Sequence, residues 1–113
     1  MTQKLTILFD LDGTLVDTAP DLMGAHNHVM KKFGFHQKNL VDIKHLAGRG
    51  AWVMMQRSFR EEITDEKMKK EMVREFIDHY AKNIDKGSKP IKGVVDFLNW
   101  AKLNEISMAV CTN

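Results

Sequence analysis

The sequence predicts an α/β fold in which a parallel sheet is interrupted by an inserted helical domain. Two runs of strand-forming residues, Leu5–Phe9 and Ile106–Cys111, stand near the ends of the chain, and a helical pattern precedes the second run. A strand, a helix and a second strand in this order are typical of a parallel sheet. The helical patterns between residues 20 and 83 are too many for one crossover. We therefore predict a core made of residues 1–17 and 88–113 and a helical domain made of residues 18–87.

Four helices are predicted in the insertion and one in the core. The first begins at Pro20 and ends near Phe33, where Gly34 follows. Two shorter helices cover Leu40–Leu46 and Ala51–Phe59, and the fourth follows a Thr64 N-cap and ends near Asn83. The core helix covers Ile91–Leu103, after a linker at residues 85–90, and hinges are expected near residues 16–19 and 86–90. The apolar stripe of the fourth helix recurs every four residues, at Met68, Met72, Phe76 and Tyr80.

The composition argues against several classes of partner. Lys plus Arg number 17 and Asp plus Glu number 15, so the chain lacks the positive charge that nucleic acids or anionic membranes attract. No apolar run approaches the roughly 20 residues that span a bilayer. The N-terminus lacks the apolar segment of a signal peptide. Cys111 is the single cysteine, which fits a reducing compartment, and its place on a strand predicts a buried core thiol. We predict a cytoplasmic protein without nucleic-acid or membrane partners.

The segment Asp10-Leu11-Asp12-Gly13-Thr14 is the strongest functional signal in the chain. It follows the first strand, and the two-residue period of a strand would send Asp10 and Asp12 to the same side. Gly13 would let the chain turn sharply away. In open α/β sheets, ligands bind at the carboxyl ends of the strands. Two carboxylates at that position suit a metal ion and a phosphoryl group.

The acidic segment has two other interpretations. A solvated acidic turn would need no ligand. A calcium loop of the EF-hand type does not match, because Leu15 stands where that loop requires glycine and Asp21 replaces its bidentate glutamate. The five histidines do not form a metal-binding pattern; His26 and His28, for example, point to different sides of a helix.

Several motifs together resemble the haloacid dehalogenase superfamily of phosphohydrolases. Residues 10–18 match its first motif, and residues 107–113 resemble its second, a strand that ends in threonine or serine. The insertion resembles a helical cap of the C1 type, which implies a Rossmann-like core with a cap domain. Within the superfamily, the segments Asp17–Leu22 and Leu46–Ala51 resemble the phosphoglycolate phosphatases. The resemblance implies hydrolysis of a small-molecule phosphate monoester, with 2-phosphoglycolate as the leading substrate.

The resemblance extends over the whole chain but over only about the first half of a family member. The third-motif lysine or arginine and the fourth-motif acidic residues have no counterpart here, so we expect the chain to be a fragment. An incomplete sheet would favour self-association through its open edges. The same-fold alternative is a sugar phosphatase or phosphosugar mutase. For the isolated chain, the alternative is a catalytically inactive piece that binds a phosphate, a metal or a partner.

The resemblance also implies residue roles. Asp10 would be the nucleophile that forms an aspartyl-phosphate and would also bind Mg²⁺. Asp12 would be the general acid and then the general base, and its main-chain carbonyl would bind the same ion. Thr112 would donate its hydroxyl group to the phosphoryl oxygens, assisted by backbone amides near Leu11 and Asn113.

The segment Gly48-Arg49-Gly50 has two interpretations. It could be a plain turn between two helices. It could also be a substrate-facing loop, in which the Arg49 guanidinium would bind a substrate carboxylate through two parallel hydrogen bonds. Lys44 and His45 are further candidates for the same role.

Overall fold

The computed structural model describes residues 4–59 and 65–112, except for the side chain of Phe59. Of these, the residues up to 17 and from 89 to 112 form one compact unit, and the residues from 18 to 88 form another. Within the described residues, the elements follow in the order β1 (Thr6–Phe9), β2 (Val16–Asp17), α1 (Ala19–Phe33), α2 (Leu40–Leu46), α3 (Ala51–Phe59), α4 (Glu66–Asn83), β3 (Lys89–Pro90), α5 (Val94–Leu103) and β4 (Ser107–Val110).

The first unit contains the predicted parallel strand pair. β1 and β4 pair in parallel from Thr6 with Ser107 to Phe9 with Val110. Parallel neighbours need a crossover connection, and α5 lies directly before β4 in the chain. The predicted α/β class is therefore confirmed in its main feature, a parallel pair joined through helices.

A second strand pair was not predicted. β2 and β3 are antiparallel, with Val16 opposite Pro90 and Asp17 opposite Lys89. The sequence predicts hinges and a linker at these residues, and strands of two residues are too short to show a periodic pattern. The pairing joins segments that are distant in sequence, so only the folded chain brings it about.

The helices agree closely with the prediction, and three helix starts differ, that of α1 by one residue, at Ala19 instead of Pro20. α2 and α3 have the predicted bounds, and α1 ends where Gly34 follows. α5 begins at Val94 rather than Ile91, because Gly93 at its N-cap has a left-handed backbone. The N-cap of α4 is Asp65, which accepts hydrogen bonds from the N–H groups of Lys67 and Met68. Thr64 lies outside the described residues.

The core of the second unit is rich in methionine. Met30, Met54, Met55 and Met72 are almost fully buried and pack with other apolar side chains of α1 to α4. Burial of a side chain of this size contributes roughly 1.5–3 kcal/mol. Methionine suits such a core, because its unbranched thioether fills irregular space. The rest of the buried cluster consists of Ala25, Val29, Ile43 and Phe76.

A buried histidine links α1 to α3 inside this core. His26 is fully buried, and its Nε2 lies 2.6 Å from Ser58 Oγ, while its Nδ1 lies 3.0 Å from Asn27 Oδ1. Burial lowers the pKa of His26, because the charged ring would lose its hydration. Burial also lowers the pKa of His79, whose ring stacks on that of His28 at 4.2 Å between centroids.

We expect the stability of the second unit to fall as the pH drops below about 6.5. Below this ordinary histidine value the unfolded chain takes up protons that the folded His26 and His79 do not, so unfolding becomes progressively more favourable. The loss should level off below the folded pKa values. Urea unfolding at about pH 7.5 and about pH 5.5 measures it. His26→Gln should reduce the pH dependence, whereas the control His36→Gln, at an exposed position, should retain it. An unfolding midpoint that rises on acidification over this interval would contradict the prediction.

The strands of the first unit are largely exposed on the described chain. Leu8 is 70% exposed and Val110 is 53% exposed, although both lie on paired strands. Cys111 is exposed as well, so the prediction of a buried core thiol was wrong. Cys111 is exposed because too little of the described chain packs against the two-stranded sheet to cover the ends of its strands. Self-association through this sheet stays a prediction.

The helices in the described part of the chain include none with the length and apolar character needed to cross a bilayer.

Candidate active site

The candidate site lies where β1 and β4 end. Phe9 is paired with Val110, and the N–H of Cys111 donates to the Phe9 carbonyl at 2.8 Å. Because the strands are parallel and in this register, the residues after each strand emerge at the same edge of the sheet. Asp10 follows one strand, and Thr112 follows the other by two positions. The structure therefore brings the predicted nucleophile and the predicted hydroxyl donor to one edge, as expected for a ligand site in an α/β sheet.

A tight turn holds the acidic segment. The Leu11 carbonyl accepts hydrogen bonds from three successive N–H groups at 3.0–3.2 Å, and the Gly13 N–H donates to the Val16 carbonyl at 2.8 Å. Gly13 has a φ of 75°, in the left-handed region that favours glycine. The three N–H donors to Leu11 belong to Thr14, Leu15 and Val16. The backbone around Asp12 is thus fixed by local hydrogen bonds.

The buried Leu15 anchors this turn. Its side chain is 8% exposed, and its carbonyl accepts a hydrogen bond from the Ile91 N–H at 3.0 Å. The segment after β3 therefore supports the acidic turn from the other end of the chain. Leu15 also explains why the calcium-loop interpretation does not hold, since an apolar side chain occupies the position.

The two aspartates differ in exposure. Asp10 is exposed, and its Oδ1 accepts a hydrogen bond from the Leu11 N–H at 2.9 Å. Asp12 is partly buried and lies on a β-bridge with Val16. The Leu11 amide, predicted to contact phosphate, here donates to Asp10. The two carboxylates therefore lie in different surroundings, and their roles as nucleophile and proton donor stay predictions.

The donor chemistry at this edge fits a hard divalent cation. Mg²⁺ prefers oxygen ligands, and the Asp10 carboxylate and the Asp12 main-chain carbonyl are of that kind. Among the described residues there is no group of three or more His, Cys, Asp or Glu side chains placed to hold a metal. The described residues therefore offer oxygen atoms of the kind that Mg²⁺ prefers, and the magnesium site itself stays a prediction.

The remaining predicted residues lie elsewhere or outside the described chain. Thr112 is exposed, and Asn113 lies outside the described residues. Arg49 is exposed in the loop between α2 and α3, in the second unit. Gly48 and Gly50 have φ values of 110° and 86°, so the backbone of this loop needs glycine at both positions. The turn interpretation thus explains the glycines, and the substrate role of Arg49 stays a prediction.

Asp21, for which the sequence predicts no functional role, accepts several hydrogen bonds in the structure. Its carboxylate accepts three of them, from the Gly87 N–H, the Ser88 N–H and the Ser88 hydroxyl group, at 2.8, 2.8 and 2.6 Å. An aspartate in the first turn of a helix is an ordinary local preference. Because the donors lie 66 and 67 residues further along the chain, no local pattern could have found them.

Comparisons of the chain with a family model and with curated proteins agree on its family. Residues 7–113 match the family model of the haloacid dehalogenase-like hydrolases. The chain is 40% identical over 108 residues to the phosphoglycolate phosphatase of Agrobacterium fabrum and 40% identical over 110 residues to that of Caulobacter vibrioides. These matches cover 94% and 96% of this chain but 46% of each relative. The chain thus spans about half the length of the curated relatives it matches.

A solved structure shares the same fold. The crystal structure of a predicted phosphoglycolate phosphatase from Haemophilus somnus superimposes with a TM-score of 0.89 at 33% identity. The match covers 100% of this chain and 53% of that one. The chain belongs to the haloacid dehalogenase-like hydrolase family, as the sequence motifs predicted. The relatives that it matches within that family include proteins named phosphoglycolate phosphatase.

Proposed function

We propose that the full-length protein hydrolyses phosphate monoesters and that 2-phosphoglycolate is its leading substrate. The observation that carries this proposal is the placement of Asp10 and Thr112 at one edge of the parallel strand pair, with Asp12 on the tight turn that follows. The names of the A. fabrum and C. vibrioides relatives support the choice of substrate. A sugar phosphate is the alternative substrate within the same fold.

The first chemical step uses both aspartates. A carboxylate oxygen of Asp10 attacks phosphorus, and the bond from phosphorus to the ester oxygen breaks as an aspartyl-phosphate forms. Asp12 gives its proton to the departing oxygen, so the product leaves as an alcohol. Nucleophilic catalysis of this kind divides one difficult displacement into two easier ones.

The second step restores the enzyme. Asp12, now ionised, takes a proton from a water molecule, and the oxygen of that water attacks the phosphorus of the aspartyl-phosphate. The bond between phosphorus and the Asp10 oxygen breaks, which releases inorganic phosphate and frees Asp10. The Thr112 hydroxyl group would hold phosphoryl oxygens through both steps by donating a hydrogen bond. The Asn113 and Leu11 amides are proposed to assist it.

Magnesium is the proposed cofactor. The Asp10 carboxylate and the Asp12 main-chain carbonyl would hold it, together with ligands beyond the described residues. When bound, a divalent cation offsets the negative charge of the phosphoryl oxygens that otherwise repels an incoming carboxylate.

The test is a comparison of phosphate esters with the full-length protein. Phosphate release is measured for 2-phosphoglycolate, a phosphosugar and p-nitrophenyl phosphate, with Mg²⁺ and after chelation. We expect the highest kcat/KM for 2-phosphoglycolate and loss of turnover on chelation that added Mg²⁺ restores. A higher value for the phosphosugar would favour the alternative substrate. No turnover of any ester would reject hydrolysis and favour a role in binding phosphate or a partner.

We expect Arg49→Ala to raise KM for 2-phosphoglycolate by about tenfold or more, because a lost charge-assisted hydrogen bond is worth roughly 1.5–3 kcal/mol. KM for p-nitrophenyl phosphate, which carries no carboxylate, should change much less. Arg57→Ala is the matched control, since Arg57 is also exposed and lies on the neighbouring α3. An equal rise of KM for the two substrates in Arg49→Ala would reject the substrate-binding role of Arg49 and favour the plain-turn interpretation.

A further inference from the structure

The two chain segments that connect the units are tied together at Asp21. The chain passes from the first unit to the second between residues 17 and 18 and returns between residues 88 and 89. Asp21 lies in the first turn of α1, three residues after the outward crossing, and its hydrogen-bond donors Gly87 and Ser88 directly precede the return. One carboxylate therefore holds both connections.

The carboxylate of Asp21 is nearly buried, and both of its oxygens accept hydrogen bonds. Asp21 is 8% exposed, and each of its oxygens accepts a backbone N–H at 2.8 Å. The Ser88 hydroxyl group donates a third hydrogen bond, to Oδ2, at 2.6 Å. An ionised carboxylate accepts such bonds without any competing donor of its own, and bonds of this kind are stronger than neutral ones.

The backbones also approach closely at this point. A Cβ atom at Gly87 would lie 3.1 Å from Pro20 Cβ and 3.2 Å from Asp21 Oδ1, closer than side chains normally pack. Glycine thus lets the return segment reach the carboxylate. Beyond the crossings, Val16 and Asp17 pair with Pro90 and Lys89 in the antiparallel β2–β3 ribbon of the first unit.

The ionisation of Asp21 agrees with this arrangement. Burial raises its pKa, but the hydrogen bonds from Ser88 and Gly87 and the positive charge of Lys86 outweigh burial and hold the pKa below its usual range. The carboxylate is therefore ionised at neutral pH and keeps all three donors engaged.

We propose that Asp21 is a positioning residue that clasps the two connecting segments, so that they act as one hinge. Two independent linkers could each change conformation alone, whereas a clasped pair changes conformation only together. Hinges are a few residues at element ends, and altering them changes kcat and KM although they lie away from the chemistry. The kinetic part of this inference rests on the proposed phosphatase function; the conformational part does not.

The test measures amide hydrogen exchange in full-length Asp21→Asn. The amide group of asparagine would place an N–H donor against the N–H and hydroxyl donors of the return segment. We expect exchange to become at least about tenfold faster at residues 16–19 and 86–90 together, with the middle of α4 unchanged. Faster exchange at residues 86–90 alone, or throughout the second unit, would overturn the clasp, as would no change.

Two further variants keep the test decisive. Asp65→Asn is the matched control, because Asp65 also accepts two backbone N–H groups but caps α4, where asparagine serves equally well. It should leave exchange at both connections unchanged. If Asp21→Asn does not fold, Ser88→Ala removes one donor of the three and should produce the same paired pattern to a smaller extent. Exchange that stays at the wild-type rate in Ser88→Ala would overturn the proposal in that case.

Kinetics supply a separate readout. In Asp21→Asn we expect kcat for 2-phosphoglycolate to fall by about tenfold at a temperature at which circular dichroism shows the variant to be fully folded. A loss of kcat that matches the fraction of unfolded protein would assign Asp21 a structural role only. If the wild-type protein hydrolyses no phosphate ester, the proposed function fails, and the exchange pattern still decides whether the clasp exists.

Discussion

Asp10→Asn in the full-length protein is expected to lower turnover of every phosphate ester by about 10³-fold or more. The amide is a poor nucleophile, so the aspartyl-phosphate cannot form. The loss of turnover should therefore be larger than about 10²-fold, which is the smallest effect usually seen when a general acid is removed. The fold should be unaffected, because the Asp10 side chain is exposed and the β1–β4 pairing uses backbone groups.

The measurement for this variant is phosphate release together with circular dichroism. Asp96→Asn provides a matched control, because Asp96 is an exposed aspartate in the same unit, in the first turn of α5. It should keep wild-type turnover. Rapid-quench experiments with ³²P-labelled substrate should trap labelled protein in the wild type and none in Asp10→Asn. Turnover of Asp10→Asn near the wild-type rate would remove Asp10 from the role of nucleophile.

Asp12→Asn is expected to lower kcat/KM for 2-phosphoglycolate by about 10²- to 10⁴-fold, the usual contribution of a general acid or base. Without a proton, the group that leaves from 2-phosphoglycolate would be an alkoxide, which is a strong base, so its oxygen needs a proton as the bond to phosphorus breaks. The Asp12 backbone sits in the turn held by Leu11 and Gly13, so an asparagine there should leave the main chain in place.

The leaving group separates the role of Asp12 from that of Asp10. p-Nitrophenolate departs readily without a proton, so Asp12→Asn should slow the formation of the aspartyl-phosphate from p-nitrophenyl phosphate much less than from 2-phosphoglycolate. Asp10→Asn should abolish this step for both esters. Single-turnover measurements compare the two. An equal loss for both esters in Asp12→Asn would contradict the assignment of Asp12 as general acid.

Much of the local structure could be predicted from short segments. α2 and α3 have the predicted bounds, and α4 ends at Asn83 as expected. These elements depend on apolar spacing and capping residues that lie within a few positions of each other. The parallel pairing of β1 with β4 followed from their order around the helices. The family followed from the motifs at residues 10–18 and 107–113 and from the helical insertion between them.

The candidate site was predictable for the same reason and to the same extent. Asp10, Leu11 and Asp12 stand in one continuous motif, and their identity as a phosphohydrolase signature needs no knowledge of the fold. The loop at Gly48–Gly50 shows the limit of what the sequence could predict about the site. Its glycines are accounted for by positive φ values, whereas the sequence could not say whether Arg49 serves the substrate or only lies in a turn.

The amino-acid sequence by itself determined the family, the order of helices and strands, and the two aspartates of the motif, because each depends on residues close together in the chain. Only the tertiary structure decided the β2–β3 ribbon, the burial of His26 against Ser58 and the three hydrogen bonds to Asp21. Each of these joins residues far apart in sequence. Their partners are chosen by the packing of whole elements, and no local preference of Asp21, Gly87 or Ser88 encodes that choice.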